Sequence, residues 1–424
     1  MKKIIKSVVI RMLAVFARAV VRRYSPKIVM VTGSVGKTST KDAVASALAS
    51  RFFVRKSDKS FNSEFGVPFT VLGVKNPERN VFAWLSVIKN AISLLVLPNH
   101  YPNMLVLEVG SGKPGDLEQI LKIATPEMVI VTRLPEISVH VEAYSSPEAV
   151  REEEFSPAYA LPASSPLIIP ADDSYARDMS IGTPARVSSY GMSEGATVRV
   201  SDVGFYENEG KVAGMQANIT VGGENAMVVV KGSVGVTQIL PVAAAVAAAT
   251  AFDISLSDAL KALDSYEPPP GRGRLLVGKN GSVIIDDSYN SSPVAVEEAL
   301  ATLKNFPHAK RRIAVLGDML ELGRYSVTEH GRVGSIACKS ADVIATVGIR
   351  ARAFITADCK VEVINFDSAK SAAKALPDIV REGDVILVKG SQSMRTERVA
   401  KALLFNPADS SLLARQDRAW LGRL

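Results

Sequence analysis

Cysteine and histidine are scarce in this chain of 424 residues, with two of the former and four of the latter. Cys338 and Cys359 lie apart in sequence, with no Cys-x-x-Cys spacing. That argues against a disulfide framework and a cysteine zinc site, and it fits a reducing cytoplasm. Long apolar runs are missing as well. The N-terminal segment MKKIIKSVVIRMLAVFARAVVRR is broken so often by charge that its longest uncharged run is Met12 to Ala17. Such a run is too short to cross a bilayer or to form an ordinary signal-peptide core. Acidic residues are absent from residues 1–27, which hold eight of the chain's 50 lysines and arginines. The remaining 42 face 43 acidic residues, so the formal charge of +7 is a local property. The body of the protein is therefore not a basic nucleic-acid binder. Internal repeats and low-complexity tracts are also lacking. What is left, 22% charged and 47% hydrophobic, describes an ordered globular chain with room for two or three domains.

Residues 1–26 read as a basic amphipathic helix. Arg11, Arg18 and Arg22 fall close together on a helical wheel, with Ile5, Val9, Met12, Leu13, Phe16 and Val20 mostly elsewhere. Two readings stand side by side: a helix docked on its own domain, or one lying in the plane of an anionic membrane.

From residue 27 the pattern is that of an α/β protein. KIVMVT is a short β-branched run, followed by a Gly-rich turn and an Ala-rich helix. MLVLEVG and MVIVTRL are further apolar strands, with the helix-like DLEQILKIA between them. Buried strands alternating with helices predict a mostly parallel sheet covered on both faces. Residues 197–232 change to period-two alternation with glycine turns, which predicts a small antiparallel part. SYEPPPGRGR reads as a hinge. Beyond it GSVIIDDSYN, RRIAVLGDM, DVIATVG and DVILVKG are four strand candidates of a smaller, Rossmann-like domain, and SSLLARQDRAWLGRL a last helix. The expected domains are thus 1–26, 27–267 and 268–424.

Chemistry concentrates at a few places. Gly33, Ser34, Val35, Gly36, Lys37, Thr38 and Ser39 stand between a strand and a helix. Such a loop wraps phosphate oxygens in backbone amides, places a lysine on the β and γ phosphates and offers a hydroxyl to Mg²⁺. Glu108 ends an apolar strand beside Gly110 and Gly112, where a magnesium ligand belongs; a solvated loop acid is the alternative. His140 lies in a polar loop, as a structural group or a metal ligand. Asp286, Asp287 and Asn290 follow a strand and precede a helix near Pro293. They suit ribose or base contacts, or helix capping. Arg272 in the hinge can reach a phosphate, and Lys389 a substrate carboxylate.

Together these segments resemble the Mur ligase family from about residue 27 onward. TGSVGKTSTK is similar to its ATP loop, FNSEFGVP to its substrate-side loop, and LEVGSGKPGDL to its magnesium-binding glutamate segment. GRGRL, IIDDSYNSSP, AVLGDMLELG and LVKGSQSMR follow in the family's order. The resemblance implies an ATP- and Mg²⁺-dependent carboxylate–amine ligase that acts through an acyl phosphate. It points to the branch joining D-alanyl-D-alanine to a peptidoglycan-precursor peptide. In that case Thr38 and Glu108 would hold one metal and His140 would help with another. Lys37, Arg272, Asp287, Asn290 and Gln238 would meet the nucleotide, and Asn62 and Lys389 the substrates.

The sequence departs from the family pattern in four ways. The usual N-terminal UDP-binding domain is replaced by the basic helix. Glu154 stands where a carbamylated lysine is expected, unless Glu152, Glu153 and Glu154 form a solvated helix face or Glu153 takes the place. Thr237 and Gln238 replace a His-Asn pair near the adenine, and Arg133 replaces an asparagine. These changes keep two other readings open: a membrane-associated ligase for another amino-acid or peptide substrate, and a degenerate nucleotide-binding scaffold. A cytoplasmic protein, at the inner face of the membrane, is the expected setting.

Overall fold

The protein, seen in a computed structural model, is described for residues 2–58, 62–77, 80–417, 420 and 422, with side chains from residue 8 onward except that of residue 81. Phe61, the first residue of FNSEFGVP, lies outside the described residues. The chain begins with α1 (Lys2–Tyr24), β1 (Lys27–Thr32), α2 (Lys37–Leu48), β2 (Val54–Lys56), α3 (Gly66–Leu72), α4 (Val81–Val96) and β3 (Met104–Glu108). There follow α5 (Asp116–Leu121), β4 (Met128–Val131), α6 (Pro147–Tyr159), β5 (Pro166–Pro170), α7 (Ser174–Ser180) and β6 (Arg186–Gly191). Three long strands, β7 (Val198–Asn208), β8 (Lys211–Val221) and β9 (Glu224–Lys231), lead to α8 (Val236–Ala251) and α9 (Leu256–Leu263).

These strands form one sheet of order β2-β3-β1-β4-β5-β6-β7-β8-β9, parallel up to β7 and antiparallel beyond it. The expected antiparallel part is thus an extension of the parallel sheet. Both faces of β1 are buried, as its unbroken apolar run demands. Val29 and Val31 face a core shared with α2 and α8, while Ile28 and Met30 face a second one. The alanines of α2 and α8 let these two helices pack closely behind the phosphate loop.

That second core includes Leu13, Ala17 and Val20 of α1, all fully buried. The basic segment is therefore a docked helix, with Arg11 and Arg22 left outward. Among the described residues, no helix is long and apolar enough to cross a membrane.

The remainder holds β10 (Arg274–Val277), β11 (Val283–Asp287), α10 (Pro293–Lys304), β12 (Arg311–Gly317), α11 (Ser326–Ala337), β13 (Val343–Val347), β14 (Glu362–Phe366), α12 (Ala369–Ala375), β15 (Asp384–Lys389) and α13 (Glu397–Leu403). Its sheet has the order β10-β11-β15-β12-β13-β14, parallel except for β10. The four expected strands are its centre, and β10 and β14 are edges that carry weaker apolar patterns.

Two expectations are corrected. Cys338 and Cys359 form a disulfide, with Cα atoms 5.4 Å apart. Sequence spacing concealed this, because α11 packs against the segment around Phe354 and so brings the residues after each element together. Over residues 410–417 the expected C-terminal helix is not formed, with a 3₁₀ turn at Pro407–Leu412 and a left-handed Arg415, while Trp420 is helical. Burial wins there. Leu413 and Ala414 enter the core, and the Arg415 guanidinium reaches Glu397 Oε2 at 2.7 Å and Ser288 O at 3.2 Å. Residues 418–419, 421 and 423–424 of that segment lie outside the described residues.

Candidate active site

The C-terminal ends of β1, β3 and β4 converge on a cleft of about 610 Å³. The phosphate loop leaves β1 at Gly33, whose φ of 106° is a left-handed value. A Cβ there would sit 2.5 Å from Thr132 Oγ1, so the loop requires glycine at this point. Helix α2 then starts at Lys37, which points its free amides and positive dipole end into the cleft. Lys37 Nζ curls back to donate to Gly33 O and, at 3.3 Å, to Ser34 O.

Thr38 Oγ1 donates to Glu108 Oε1 at 3.1 Å. Glu108 is only 1% exposed, and its Oε2 has no hydrogen-bond partner among the described residues. Burial pushes its carboxyl up, against the pull of Lys41, Lys37 and Arg272. A buried carboxylate oxygen without a donor, beside a hydroxyl and a phosphate loop, fits a hard cation completed by phosphate and water oxygens.

Glu154 reaches the same loop from α6. It is 2% exposed, with Oε1 3.9 Å from Lys37 Nζ and Oε2 accepting from the Ser34 hydroxyl, which also lies 2.9 Å from Ser138 Oγ. Burial pushes this carboxyl up too, partly offset by Lys37 and then by the Ser34 hydroxyl. The neighbouring glutamates are used elsewhere. Glu153 accepts from Gly115 N and Leu117 N at the start of α5, and Glu152 from the Tyr159 hydroxyl at the surface.

Asn62 lies against Lys37 and Gly110, and a Cβ added to Gly110 would meet Asn62 Nδ2 at 3.1 Å and Lys37 Cε at 3.3 Å. His140 lines the cleft with a φ of 68°, its Nδ1 2.7 Å from Glu321 Oε2 of the other half. The histidine's hydrogen bond holds the Glu321 carboxyl below its usual range. Glu321 belongs to the segment AVLGDMLELG but carried no assigned role in the sequence. Its left-handed backbone, φ 65°, has no signature in a glutamate.

The second half supplies Asn290, Tyr289, Ser391 and Arg395 to the cleft wall. Arg272 is placed between the halves by Gly273, where a Cβ would strike Val234 O at 2.4 Å. Its guanidinium covers the Tyr289 ring at 4.4 Å and makes no ion pair among the described residues. A narrow adjoining cavity is lined by Ser39, Thr237, Gln238, Asp287 and Lys389, and the buried Gln238 Oε1 has no partner there.

Two expected residues are placed differently. Asp286 is fully buried away from either cavity, and desolvation pushes its carboxyl up to about 6. Lys389 is 1% exposed, and its ammonium is bound by Asp287 Oδ2 at 2.6 Å and Asn290 O at 3.0 Å. A buried ammonium needs such partners, so it braces the two residues around it and does not project into the main cleft.

Comparison with known proteins agrees with this geometry. The model of the Mur ligase middle domain matches residues 31–249, and that of the Mur ligase glutamate ligase domain matches residues 271–392. The UDP-N-acetylmuramoyl-tripeptide–D-alanyl-D-alanine ligase of Bacillus subtilis (strain 168) is 27% identical over 398 residues, 92% of this chain and 79% of that protein. The ligase of the same name from Escherichia coli (strain K12) is 29% identical over 403 residues, 91% of this chain and 79% of its own. Among solved structures, a MurF ligase from Thermotoga maritima in complex with ADP has a TM-score of 0.75 at 25% identity. The match covers 93% of this chain and 83% of that one.

Proposed function

The chain belongs to the Mur ligase family, and from that premise we propose that it uses ATP to join D-alanyl-D-alanine to a muramoyl-peptide precursor of peptidoglycan. The observation that carries the proposal is the Lys37–Thr38–Glu108 cluster at the foot of a cleft walled by both halves.

In the proposed reaction a substrate carboxylate oxygen attacks the γ-phosphorus of ATP, and ADP leaves. The amine of the second substrate then attacks the acyl carbon of the acyl phosphate. Loss of a proton and of phosphate from the tetrahedral intermediate leaves the amide. The protein's part is to position the partners and neutralise charge on the transferring oxygens. Lys37 turns from the loop carbonyls to the β and γ phosphates, and the start of α2 supplies amides. Thr38 and Glu108 would hold Mg²⁺, which when bound screens the phosphate charges. Glu154 is a permanent carboxylate in the place of a carbamylated lysine, and His140, once parted from Glu321, would help to hold a further metal ion. Arg272 meets a phosphate, Asn290 and Asp287 the ribose, and Gln238 the base. Asn62 holds the acyl substrate, and Lys389 fixes Asp287 and Asn290 for the ribose.

Residues 27–267 and 268–424 act in this scheme as two bodies that close about Pro268–Gly273. We also read the chain as working at the inner face of an anionic membrane, to which α1 turns its arginines.

The test is phosphate release from ATP with muramoyl-peptide acceptors, with and without D-alanyl-D-alanine. Release that depends on both, and a loss of at least about a hundredfold in Lys37→Ala with the fold retained, is expected. Wild-type turnover by that variant removes the loop from the site. No release with any acceptor favours a nucleotide-binding scaffold.

A further inference from the structure

Helix α4 has an unusual outer face. Val87, Ala91 and Leu94 are buried in the core that also receives Leu13, Ala17 and Val20 of α1. The opposite side should then be polar, as on an ordinary surface helix. Instead Phe82 is 81% exposed, Leu85 59%, Ile92 49% and Val96 67%, with Lys89 among them. These positions recur every three or four residues and form one stripe. Leu97, 55% exposed, extends it.

Helix α1 lies against α4 and ends beside it. The Tyr24 hydroxyl donates to Leu94 O at 2.8 Å, and the Arg23 guanidinium donates to Leu95 O and Leu97 O. The outward stripe of α1 runs Val8, Arg11, Val15 and Arg22, with Val8 59% and Val15 62% exposed, and Arg18 lies half-buried along it with its Nε enclosed. Neither helix contains an acidic residue. Arg11, Arg18, Arg22 and Lys89 make no ion pair among the described residues.

We propose that α4 inserts its apolar stripe into the headgroup–acyl boundary of an anionic bilayer while α1 rests its arginines on the lipid phosphates. This deepens, and rests on, the membrane reading of the basic segment. The division of labour differs from that of a lone amphipathic helix, because α1 spends its apolar face on the protein core and α4 provides the one that enters lipid. The charge selects the occupant. A second copy on a twofold axis would set Arg11, Arg18 and Arg22 against their own images with no acid to pair them. An anionic lipid surface offers acceptors for every cation and an apolar phase for Phe82, Leu85, Ile92 and Val96. None of the residues lining the main cleft comes from α1 or α4, so lipid and nucleotide can be held together.

Sedimentation of the full chain with vesicles of phosphatidylcholine, with and without phosphatidylglycerol, tests this. Wild type should bind the anionic vesicles and lose binding as salt rises. Phe82→Ser/Leu85→Ser/Ile92→Ser should bind at least about a hundredfold more weakly, since three apolar side chains no longer enter lipid. Because the three residues are exposed, its circular dichroism and vesicle-free phosphate release should be unchanged. Arg11→Gln/Arg18→Gln/Arg22→Gln should lose the preference for anionic lipid. Equal binding by the serine variant overturns the role of α4 and leaves the membrane reading standing. No binding by wild type overturns both. Concentration-dependent dimers without lipid, abolished by the serine variant, would make this face an interface between copies and also overturn the proposal.

Discussion

Three consecutive glutamates of α6 meet three different surroundings: Glu152 the solvent, Glu153 the start of α5, and Glu154 the phosphate loop. A shared helix face would have treated them alike. A carboxylate fixed at the loop carries the charge that a carbamylated lysine acquires from dissolved CO₂, so activity should not respond to bicarbonate. Glu154→Gln keeps the shape and removes the charge. It should raise the Mg²⁺ concentration for half-maximal phosphate release about 10–100-fold, the usual effect of losing a supporting group at a metal. Unchanged magnesium dependence would place Glu154 outside the site. Single residues were legible in the sequence where a local pattern fixes them. Gly33 to Ser39 and Glu108 announce themselves by a strand, a turn and a helix. The sequence offered Lys389 for a substrate carboxylate and His140 for a metal, but the partners they have here, Asp287 and Glu321, are set by tertiary packing that no local spacing encodes.

Among the elements, α1 shows what a docked helix contributes. Leu13 is completely buried in the core that α1 shares with α3 and α4. Leu13→Ala should lower unfolding free energy by about 2–5 kcal/mol, the usual range for such a cavity, as measured by urea denaturation. A change within a few tenths would mean that the helix leaves the core readily. The sequence shows the central strands plainly because their apolar runs are short and bounded. Helix α4 escaped notice because VFAWLSVIKNAISLLV is apolar on both faces, which erases the periodicity that marks a surface helix. Strand β5 was hidden by prolines at both of its ends, residues that argue against a strand unless they fall at its limits.

At the scale of the whole molecule, the ion pairs that join the halves include Arg133 with Glu298, His140 with Glu321 and His308 with Glu207. Arg133 is one of the departures from the family pattern, and here it meets a carboxylate of α10. Small-angle scattering should show compaction with a nonhydrolysable ATP analogue and Mg²⁺. In Arg133→Ala the nucleotide-free form should be more extended than wild type, and an unchanged radius in both experiments would count against closure. Acid should act in the same direction. The Glu321 carboxyl is held below its usual range, so its contribution is present above that range and is lost as pH falls through the lowered value.

The place of β1 has a consequence for how the chain is made. It lies between β3 and β4, whose residues are 104–108 and 128–131. A ribosome therefore releases β1 and the apolar face of α1 before either neighbour of β1 exists. At ordinary translation speeds of about 5–20 residues per second, the wait for both strands is roughly 5–20 s. During that interval the nascent chain presents this apolar strand to whatever surface is nearest, which makes the segment the natural contact for a folding chaperone.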